Sequence, residues 1–453
     1  MKYNLTYPVS ILLHVLIGVA IYFNEFLAKI YFWAALSYLF VTVIISPENK
    51  KIEKVLQACA YFVGAEVLLR MTRGAISYEA SKYLVIVFVS IGMFYKGLSG
   101  KGYPYFLYMM FLVPSIFVAS TTLSFDANFR TNIAFVLSGP ICLGMAALFC
   151  YDKKVTINQL SEVLLYVFLP IISLTTYLFL YTPSVGDVLS NTASNRATSG
   201  GFGPNQVATV LGLGMFIATV RFFNKSPNLG LKILNVSLLI LISFRAVVTF
   251  SRGGVLAALI MMIAFLVVYY STVSKKRKRE ISFLVLIFGF SMVATWFIST
   301  NQTDGLIELR YANKDHLGRE KKDVTTGRGE LFINELEGFI SNPFLGIGSS
   351  RAKDSRYEID GQGVTSHSEV SRTLAEHGIF GVAILLILLV KPLDFRARNK
   401  RNYYFYAFLC FWFATINHSS MRISAPAFIY ALALLQVVKS KPYLRKRRIE
   451  NKP

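Results

Sequence analysis

Apolar runs of about 15 to 20 residues alternate with short polar segments along most of the chain. A helix of roughly 20 apolar residues can cross the ~30 Å hydrocarbon core of a bilayer, so each run is a candidate transmembrane helix. The candidates are 8–22, 28–46, 55–70, 81–96, 103–122, 132–150, 160–180, 203–221, 232–250, 255–270, 281–299, 378–391, 403–416 and 425–438. Since 8–22 and the stretch 403–438 fit this pattern least well, the prediction is an all-α polytopic membrane protein with about 12 to 14 transmembrane helices.

One polar segment, 300–377, is far longer than a connection between two helices needs to be. It divides the chain into helices 1–11 in 1–299, a large loop in 300–377, helices 12–14 in 378–438 and a basic tail in 439–453. Loops of this length are usually functional or disordered. The pattern within this one favours a folded, partly helical loop.

Two helices are predicted in the loop. The first covers Arg328–Ile340, and its apolar residues recur at helical spacing: Leu331, Phe332, Leu336, Phe339 and Ile340. Asn342 and Pro343 then end the helix, and Gly346 and Gly348 predict a turn. The second helix is predicted to begin near Ser366, because Ser366 and Glu369 have the spacing of a capping box. We therefore expect the loop to fold against the membrane domain.

Composition and charge support a membrane protein with a defined orientation. Of the 453 residues, 54% are hydrophobic and only 16% are charged. With the amino terminus inside, the inward segments hold 28 lysines and arginines and the short outward loops hold 8. This positive-inside bias predicts cytoplasmic termini and an outward loop 300–377. The net charge of +22 therefore indicates cytoplasmic anchors and does not predict nucleic-acid binding.

Arginines stand out in the predicted outward segments, at positions 196, 252, 328 and 372. The guanidinium group keeps its charge and matches phosphate oxygens with two parallel hydrogen bonds, so converging arginines would suit a lipid-linked phosphate or pyrophosphate. Arg252 is the strongest candidate, because Gly253 and Gly254 would leave the backbone open to a ligand. The alternative for each arginine is an interfacial anchor or a partner for a nearby carboxylate.

Two further residues are candidates. Arg245 precedes Arg252 by seven residues, a spacing that predicts both on one face of one helix. A cation at that depth is usually functional or paired, in this case with an acid such as Glu66. His367 would lie in the first turn of the second loop helix, where the helix dipole disfavours imidazolium. A neutral imidazole there could act as a general base, or the histidine could be inert.

Several kinds of site have no support in the sequence. No outward loop contains an Asp-x-Asp pair, and the chain has no His-x-x-x-His or Gly-x-x-x-x-Gly-Lys motif, so metal and nucleotide cofactors are not expected. The four cysteines fall in or at the ends of apolar runs and have no metal-ligand spacing. They are predicted to be small packing residues.

Four stretches together resemble the O-antigen ligase and polymerase superfamily over roughly 190–391. Ser251–Gly254 resembles its Ser-Arg-Gly-Gly segment, and Gly327–Phe332 resembles its Gly-Arg-x-x-x-Trp/Phe helix start. Asn342–Gly348 resembles its Asn-Pro-hydrophobic-Gly-x-Gly turn. His367-Ser368, followed after nine residues by Gly378–Gly381, resembles the pattern of the ligases.

The resemblance implies a glycosyltransferase of the bacterial inner membrane whose site faces the periplasm. Its donor would be a glycan on undecaprenyl pyrophosphate, and it would use neither metal nor nucleotide. Arg252 and Arg328 would stabilise the leaving pyrophosphate, with Arg196, Arg245 and Arg372 as further substrate contacts. His367 would accept the proton of the acceptor hydroxyl. Loss of pyrophosphate from an α-linked donor suggests inversion at the anomeric carbon.

The subclass stays open. A ligase would transfer the glycan to a sugar of lipid A-core, and the His-Ser…Gly-x-x-Gly motif favours this. A polymerase would transfer it to another lipid-linked repeat, and a count of fourteen spans favours that. A protein O-glycan ligase is a third possibility. The rival from another class is a lipid or polysaccharide transporter, but transporters tend to hold charged sites at the bilayer midplane in two related halves, which this chain lacks.

Overall fold

The structure is a computed structural model that describes residues 3–124, 127–321, 323, 325, 327–360 and 364–439. Within these residues, nine helices or helix pairs are long and apolar enough to cross a membrane. They are Thr6–Phe23, Phe26–Ile45, Gly100–Thr122, Phe129–Cys150, Ile157–Tyr181, Pro204–Asn224, Leu229–Val247, Arg252–Thr272 and Lys275–Gln302. The predicted class, an all-α polytopic membrane protein, is confirmed.

Every predicted apolar run coincides with a helix or a helix pair. The helices before the large loop are α1 (Tyr3–Phe23), α2 (Phe26–Ile45), α3 (Lys51–Met71), α4 (Ala80–Lys96), α5 (Tyr103–Phe111), α6 (Pro114–Thr122), α7 (Phe129–Cys150), α8 (Ile157–Tyr181), α9 (Pro204–Asn224), α10 (Leu229–Val247), α11 (Arg252–Thr272) and α12 (Lys275–Gln302). Those after it are α17 (Ile379–Arg398), α18 (Phe405–Ile416) and α19 (Ala425–Ala433). The count of 12 to 14 membrane crossings stays a prediction.

Two of the runs differ from a single long helix. The run 103–122 forms α5 and α6, because Pro114 has no backbone N–H to continue the helix across the join. The run 425–438 is helical only to Ala433, and Gln436–Val438 forms a short strand, β2. This strand pairs in parallel with β1 (Lys154–Thr156), at the start of α8. Most of the predicted basic tail, from residue 440 onward, lies outside the described residues.

Helix α9 is the centre of the membrane domain, since nearly all of its side chains from Gln206 to Phe223 are buried. Helices α3 and α8 lie alongside each other so closely that a Cβ atom on Gly64 would lie 2.1 Å from the carbonyl oxygen of Val167. By contrast, α1, α2 and α12 expose long apolar faces, as expected for helices that contact lipid. All four cysteines are free, and Cys59, Cys142 and Cys150 are buried, as predicted for packing residues.

The large loop is folded and helical. It contains α13 (Leu306–Tyr311), α14 (Arg328–Ser341), α15 (Arg351–Asp360) and α16 (Glu369–His377). The predicted helix at 328–340 is confirmed as α14, and Gly346 and Gly348 turn the chain with φ of +74° and +96°. The loop contacts the membrane domain through α6, where the Thr122 hydroxyl donates a 3.0 Å hydrogen bond to the Ile347 carbonyl.

The predicted capping box at Ser366 and Glu369 is wrong. The N-cap of α16 is Ser368, whose hydroxyl accepts a hydrogen bond from the Ser371 backbone N–H. The Ser366 hydroxyl donates instead to the carboxylate of Glu335 on α14 and to the Ser368 carbonyl. As a result, His367 precedes the helix and does not lie in its first turn.

Candidate active site

Arg252 is the first residue of α11, and both glycines that follow it are required by close packing. A Cβ atom on Gly253 would lie 2.5 Å from the imidazole ring of His418, and one on Gly254 would lie 2.6 Å from Ala208 of α9. Protein atoms therefore make a close approach at both glycines, and Gly253 also lines the cavity described below, so its role towards a ligand stays a prediction. The close packing results in a fixed helix start that holds Arg252 in place.

Arg310, on α13, is held against the same helix start. Its Nε donates a 3.1 Å hydrogen bond to the Phe250 carbonyl, in the turn between α10 and α11. Arg252 in turn donates from Nη1 to the Arg310 carbonyl, at 3.4 Å. Phe250 has a φ of +59°, so the backbone turns sharply where the two arginines meet. These bonds join α13 of the large loop to the membrane domain.

Arg328 completes a group of three arginines around one cavity. The cavity has a volume of about 350 Å³ and is lined by Ser251, Arg252, Gly253, Arg310, Thr325, Arg328 and Gly329. Arg252 and Arg328 are each the first residue of a long helix, α11 and α14, so two helix N-termini contribute to this cavity. Helix N-termini carry partial positive charge and free N–H groups, which favour anions.

The described lining of this cavity includes three guanidinium groups and no carboxylate. Burial, together with the charges of Arg252 and Arg328, lowers the pKa of Arg310 to about 10. Burial and the charge of Arg252 also lower the pKa of Arg328. Besides burial, the positive charges of the neighbouring arginines therefore contribute to these shifts. A bound anion with two or more charges would offset these positive charges, and pyrophosphate fits this description.

A second cavity, of about 120 Å³, adjoins the first because Arg328 lines both. Its other lining residues are Leu331, Phe332, Glu335, Ser366, His367, Ser368, Ser371 and Asn417. His367 is half-buried here, and its Nδ1 is buried without a hydrogen-bond partner among the described residues. The sequence-predicted residues His367 and Arg328 therefore lie at one site, with Arg252 on the far side of Arg328.

The segment that carries His367 is held by the loop between α18 and α19. The Ser420 N–H donates to the His367 carbonyl at 3.2 Å. Arg422 donates from Nη2 to the carbonyls of Thr365 and Ser366, at 3.0 and 2.7 Å. Four hydrogen bonds in all restrain the backbone around the imidazole, since the Ser420 hydroxyl also donates to the Ser366 carbonyl.

His367 is neutral in the empty site, but for a different reason from the one predicted. Burial, followed by the positive charges of Arg422 and Arg328, lowers its pKa to about 3. The helix dipole is not the cause, because His367 lies before the N-cap of α16. The imidazole therefore has a free lone pair at neutral pH, but burial and the nearby positive charges both disfavour the imidazolium.

Arg372 belongs to a separate, acidic cluster. Its guanidinium forms ion pairs with Glu369 and, at 3.0 Å, with Glu376. Arg356 forms a neighbouring pair with Glu335 at 3.2 Å. Arg372 is thus a partner for nearby carboxylates, which was the alternative given for it in the sequence analysis. It lines neither of the two cavities described above. Burial raises the pKa of Glu376 to about 7 despite the adjacent arginine.

The prediction for Arg245 is wrong in its geometry. Arg245 lies near the end of α10 and Arg252 begins α11, so the two do not share a helix. The Arg245 guanidinium donates to the carbonyls of Thr182 and Thr198, at 3.2 and 3.3 Å. Glu66, its suggested partner, is paired with Arg70 at 2.5 Å. Arg245 therefore anchors the segment between α8 and α9 and does not line the arginine cavity.

Arg196 lies in that anchored segment, which includes short 3₁₀ turns at Gly186–Val188 and Ala197–Ser199. Its side chain is exposed, and it lines neither cavity. The structure thus brings together Arg252, Arg328 and His367 from the predicted set, and separates Arg196, Arg245 and Arg372 from them.

Three residues of the site were not predicted from the sequence: Arg310, His418 and Arg422. Arg310 lies in a six-residue helix with no motif around it, and the other two lie in the short loop 417–424. The sequence contains one indication for these three residues: each lies in a segment that was predicted to face outward. No cluster of three or more His, Cys, Asp or Glu side chains that could hold a metal occurs within the described part of the chain.

Comparison with known proteins gives a family match over the segment that contains the large loop. Residues 237–386 match the family model described as O-antigen ligase, which covers Arg252, Arg310, Arg328 and His367 but neither Arg196 nor Arg422. No curated protein matches the chain. The matched segment begins in α10 and ends in α17, so it contains the complete large loop. Over these residues, about a third of its length, the chain is similar to the O-antigen ligase family, whose members are membrane glycosyltransferase-type enzymes.

Proposed function

We propose that the protein transfers a glycan from undecaprenyl pyrophosphate to a sugar hydroxyl of lipid A-core. The reaction takes place at the periplasmic face of the bacterial inner membrane, without metal or nucleotide. The observation that carries the proposal is that Arg328 lines both the three-arginine cavity and the His367 cavity. An anion site and a neutral base thereby adjoin, as attack on a pyrophosphate-linked sugar requires.

In the first step the donor's pyrophosphate binds Arg252, Arg310 and Arg328. Arg310 is held through its Nε by the Phe250 carbonyl, which leaves its Nη groups for the ligand. Fixed guanidinium groups stabilise negative charge that develops on a leaving group without reorganising, and this is often the largest contribution to catalysis. The glycan's first sugar then extends past Arg328 towards His367.

In the second step the acceptor's hydroxyl oxygen forms a bond to the anomeric carbon of that sugar. The bond between this carbon and the pyrophosphate oxygen breaks, and its electron pair leaves with undecaprenyl pyrophosphate. The hydroxyl proton passes to the imidazole of His367. Because the oxygen attacks opposite the leaving group, an α-linked donor gives a β-linked product.

Donor binding also changes His367. The positive charges of Arg422 and Arg328 contribute to its low pKa. A bound pyrophosphate places at least two negative charges beside Arg328, so the pKa of His367 rises when the donor is present. The base therefore becomes effective only in the complex with the donor.

The orientation is tested by labelling engineered cysteines in intact spheroplasts with an impermeant thiol reagent. Cysteine at Lys276, in the basic segment before α12, is expected to be protected, and cysteine at Lys321, in the large loop, is expected to react. The same Lys276 variant must react after permeabilisation, which controls for burial. Labelling at 276 and not at 321 in intact spheroplasts would reverse the orientation and remove the periplasmic reaction.

A polymerase of the same superfamily is the second candidate, because each of the fourteen apolar runs is at least partly helical. The lipopolysaccharide of a deletion strain separates the two. Loss of every band above lipid A-core indicates the ligase, whereas a single added repeat indicates the polymerase. Loss of the surface glycan with donor accumulating on the cytoplasmic side would contradict both and favour a transporter. Transfer by purified protein in the presence of a chelator tests the independence from metal.

A further inference from the structure

Helix α14, in the large loop, buries a polar side chain and exposes apolar ones, which is unusual for a helix surrounded by water. The side chain buried against the rest of the protein is polar: Glu335 accepts hydrogen bonds from Arg356, Ser366 and Ser371. Gly338, on the same face, lies against Ile347 and Ala375. Leu331 and Phe339 are half-buried on this side, but the other four large apolar side chains of the helix are exposed, whereas a soluble amphipathic helix would bury its apolar face.

The apolar stripe of α14 is exposed. Phe332, Ile333, Leu336 and Ile340 have exposed fractions of 43%, 56%, 36% and 66%. They lie within about 100° of one another around a helix that turns by roughly 100° per residue. A third, polar stripe of Glu330, Asn334, Glu337 and Ser341 is also exposed. The helix thus presents one apolar and one polar side away from the protein.

The apolar stripe continues into surfaces of the membrane domain. Beyond α14, Phe344 and Leu345 are exposed, and the Phe344 carbonyl accepts a 3.3 Å hydrogen bond from the N–H of Ile379, the first residue of α17. The exposed side of α17 is apolar and includes Leu386, Leu389, Val390 and Leu393. On the other side of the turn, α6 exposes Phe117 at 71%. The stripe therefore lies next to further exposed apolar residues of α6 and α17.

We propose that α14 is an interfacial helix, with its apolar stripe in contact with the acyl chains of the adjacent leaflet and its polar stripe facing water. Helices of this kind lie in the membrane plane with the apolar face buried about 5–10 Å into the boundary between headgroups and acyl chains. Arg328, at the start of α14, is then held at headgroup depth. A pyrophosphate attached to a lipid lies at that depth, so a lipid-linked donor can reach the arginine cavity without leaving the bilayer.

The proposal is tested with spin labels on the full chain in proteoliposomes. Cysteine variants at Ile333, Ile340 and Phe344 report the apolar side, and matched variants at Asn334 and Glu337 report the polar side of the same helix. Cys410 is replaced by alanine, and the other three cysteines are buried and do not react. The measurement is the collision frequency of each label with oxygen, which concentrates in lipid, and with a water-soluble nickel chelate. No donor or acceptor is needed.

We expect oxygen collisions to dominate at 333, 340 and 344, and nickel collisions to dominate at 334 and 337. Dominant nickel collisions at 333 and 340 would overturn the proposal, because the stripe would then face water. Low collision rates with both reagents at 333 and 340 would also overturn it, since a protein surface would then cover the stripe. Two independent positions on the stripe keep the test decisive if one variant does not fold. The collision measurement requires no enzymatic activity. Its outcome is therefore independent of whether the protein is a transferase.

Discussion

Two clusters of arginines lie beside the His367 segment, and their charges are balanced in opposite ways. Around the larger cavity, Arg252, Arg310 and Arg328 face a described lining that has no carboxylate. In the neighbouring cluster, Arg356 and Arg372 are paired with Glu335, Glu369 and Glu376. Among the described residues, the first cluster lines a cavity of about 350 Å³ without an acid, whereas the second has more acids than arginines and lines a cavity of only about 40 Å³.

The difference separates a binding role from a structural role. A buried ion pair stabilises the fold only with both partners present, and removing one partner leaves a buried charge. Arginines that repel one another around a cavity instead destabilise the empty protein, and this destabilisation is removed when an anion binds. Substitutions in the first cluster should therefore affect turnover, and those in the second should affect stability.

The largest expected effect is at His367, which lies between the clusters. His367→Ala should reduce turnover by about 10²- to 10⁴-fold, the usual contribution of a positioned base. His367→Gln should be equally inactive, because an amide keeps a hydrogen bond but cannot accept a proton near neutral pH. Single-turnover transfer of a labelled glycan measures both. Recovery of most activity in the glutamine variant would show that His367 only positions the acceptor.

The next effect is at the cavity arginines. Arg328→Lys and Arg252→Lys should each lower turnover by about 10²- to 10³-fold, the range measured when one group that stabilises developing negative charge is removed. Lysine keeps the charge but not the planar pair of donors that pyrophosphate oxygens accept. The thermal midpoint in detergent should not fall. Near-normal transfer by either lysine variant would indicate that the substituted arginine is only an interfacial anchor.

Arg372→Met tests the other side of the comparison. It leaves Glu369 and Glu376 without their cation, so the free energy of unfolding should fall by about 3–5 kcal/mol. Turnover per folded molecule should stay close to that of the wild type. Arg328→Met is the matched control, with the opposite result expected in both measurements. If Arg372→Met folds normally and loses turnover, the two clusters do not have separate roles.

The smallest expected effect is on pH dependence. The neutral form of His367 is the active base, and its pKa in the empty site is about 3, so kcat/KM should not decline from protonation of His367 between pH 5 and 8. In the pH profile of kcat, the acidic limb should lie at higher pH than in the profile of kcat/KM, because bound pyrophosphate raises the pKa of His367. Arg422→Gln removes a positive neighbour but keeps an N–H donor for the Thr365 and Ser366 carbonyls. This substitution should shift the acidic limb of the kcat/KM profile to higher pH. An unchanged limb would show that the charge of Arg422 does not lower the pKa of His367.

Much of the fold could be predicted, because apolar run length is set by the bilayer and survives tertiary packing. The grouping of Arg252, Arg328 and His367 followed from a resemblance whose motifs lie on the matched segment. Arg245 was misassigned because nothing between Val248 and Ser251 signals a turn: Phe250 adopts a positive φ in a stretch without glycine or proline.

Other errors arose from contacts that local patterns do not contain. Ser366 and Ser368 both have the residue type of an N-cap, and the choice between them depends on Glu335, which lies 31 residues before Ser366 and engages its hydroxyl. The apolar spacing of α14 predicted the helix correctly, but it could not reveal that the apolar face points away from the protein. Arg310 and Arg422 gave no local signal, because each acts through carbonyls that are distant in sequence.

The parallel pairing of β1 with β2 has a consequence for biosynthesis. Lys154 pairs with Gln436, and the Gln436 N–H donates to the Lys153 carbonyl at 2.9 Å, so the last described element completes a ladder whose other strand was synthesised 282 residues earlier. Helix α19 has only nine residues, or about 14 Å of rise, so its helical part alone is shorter than the hydrocarbon core. Until β2 arrives, the backbone groups of β1 lack their partner. The ladder at the start of α8 therefore forms only after β2 has been synthesised.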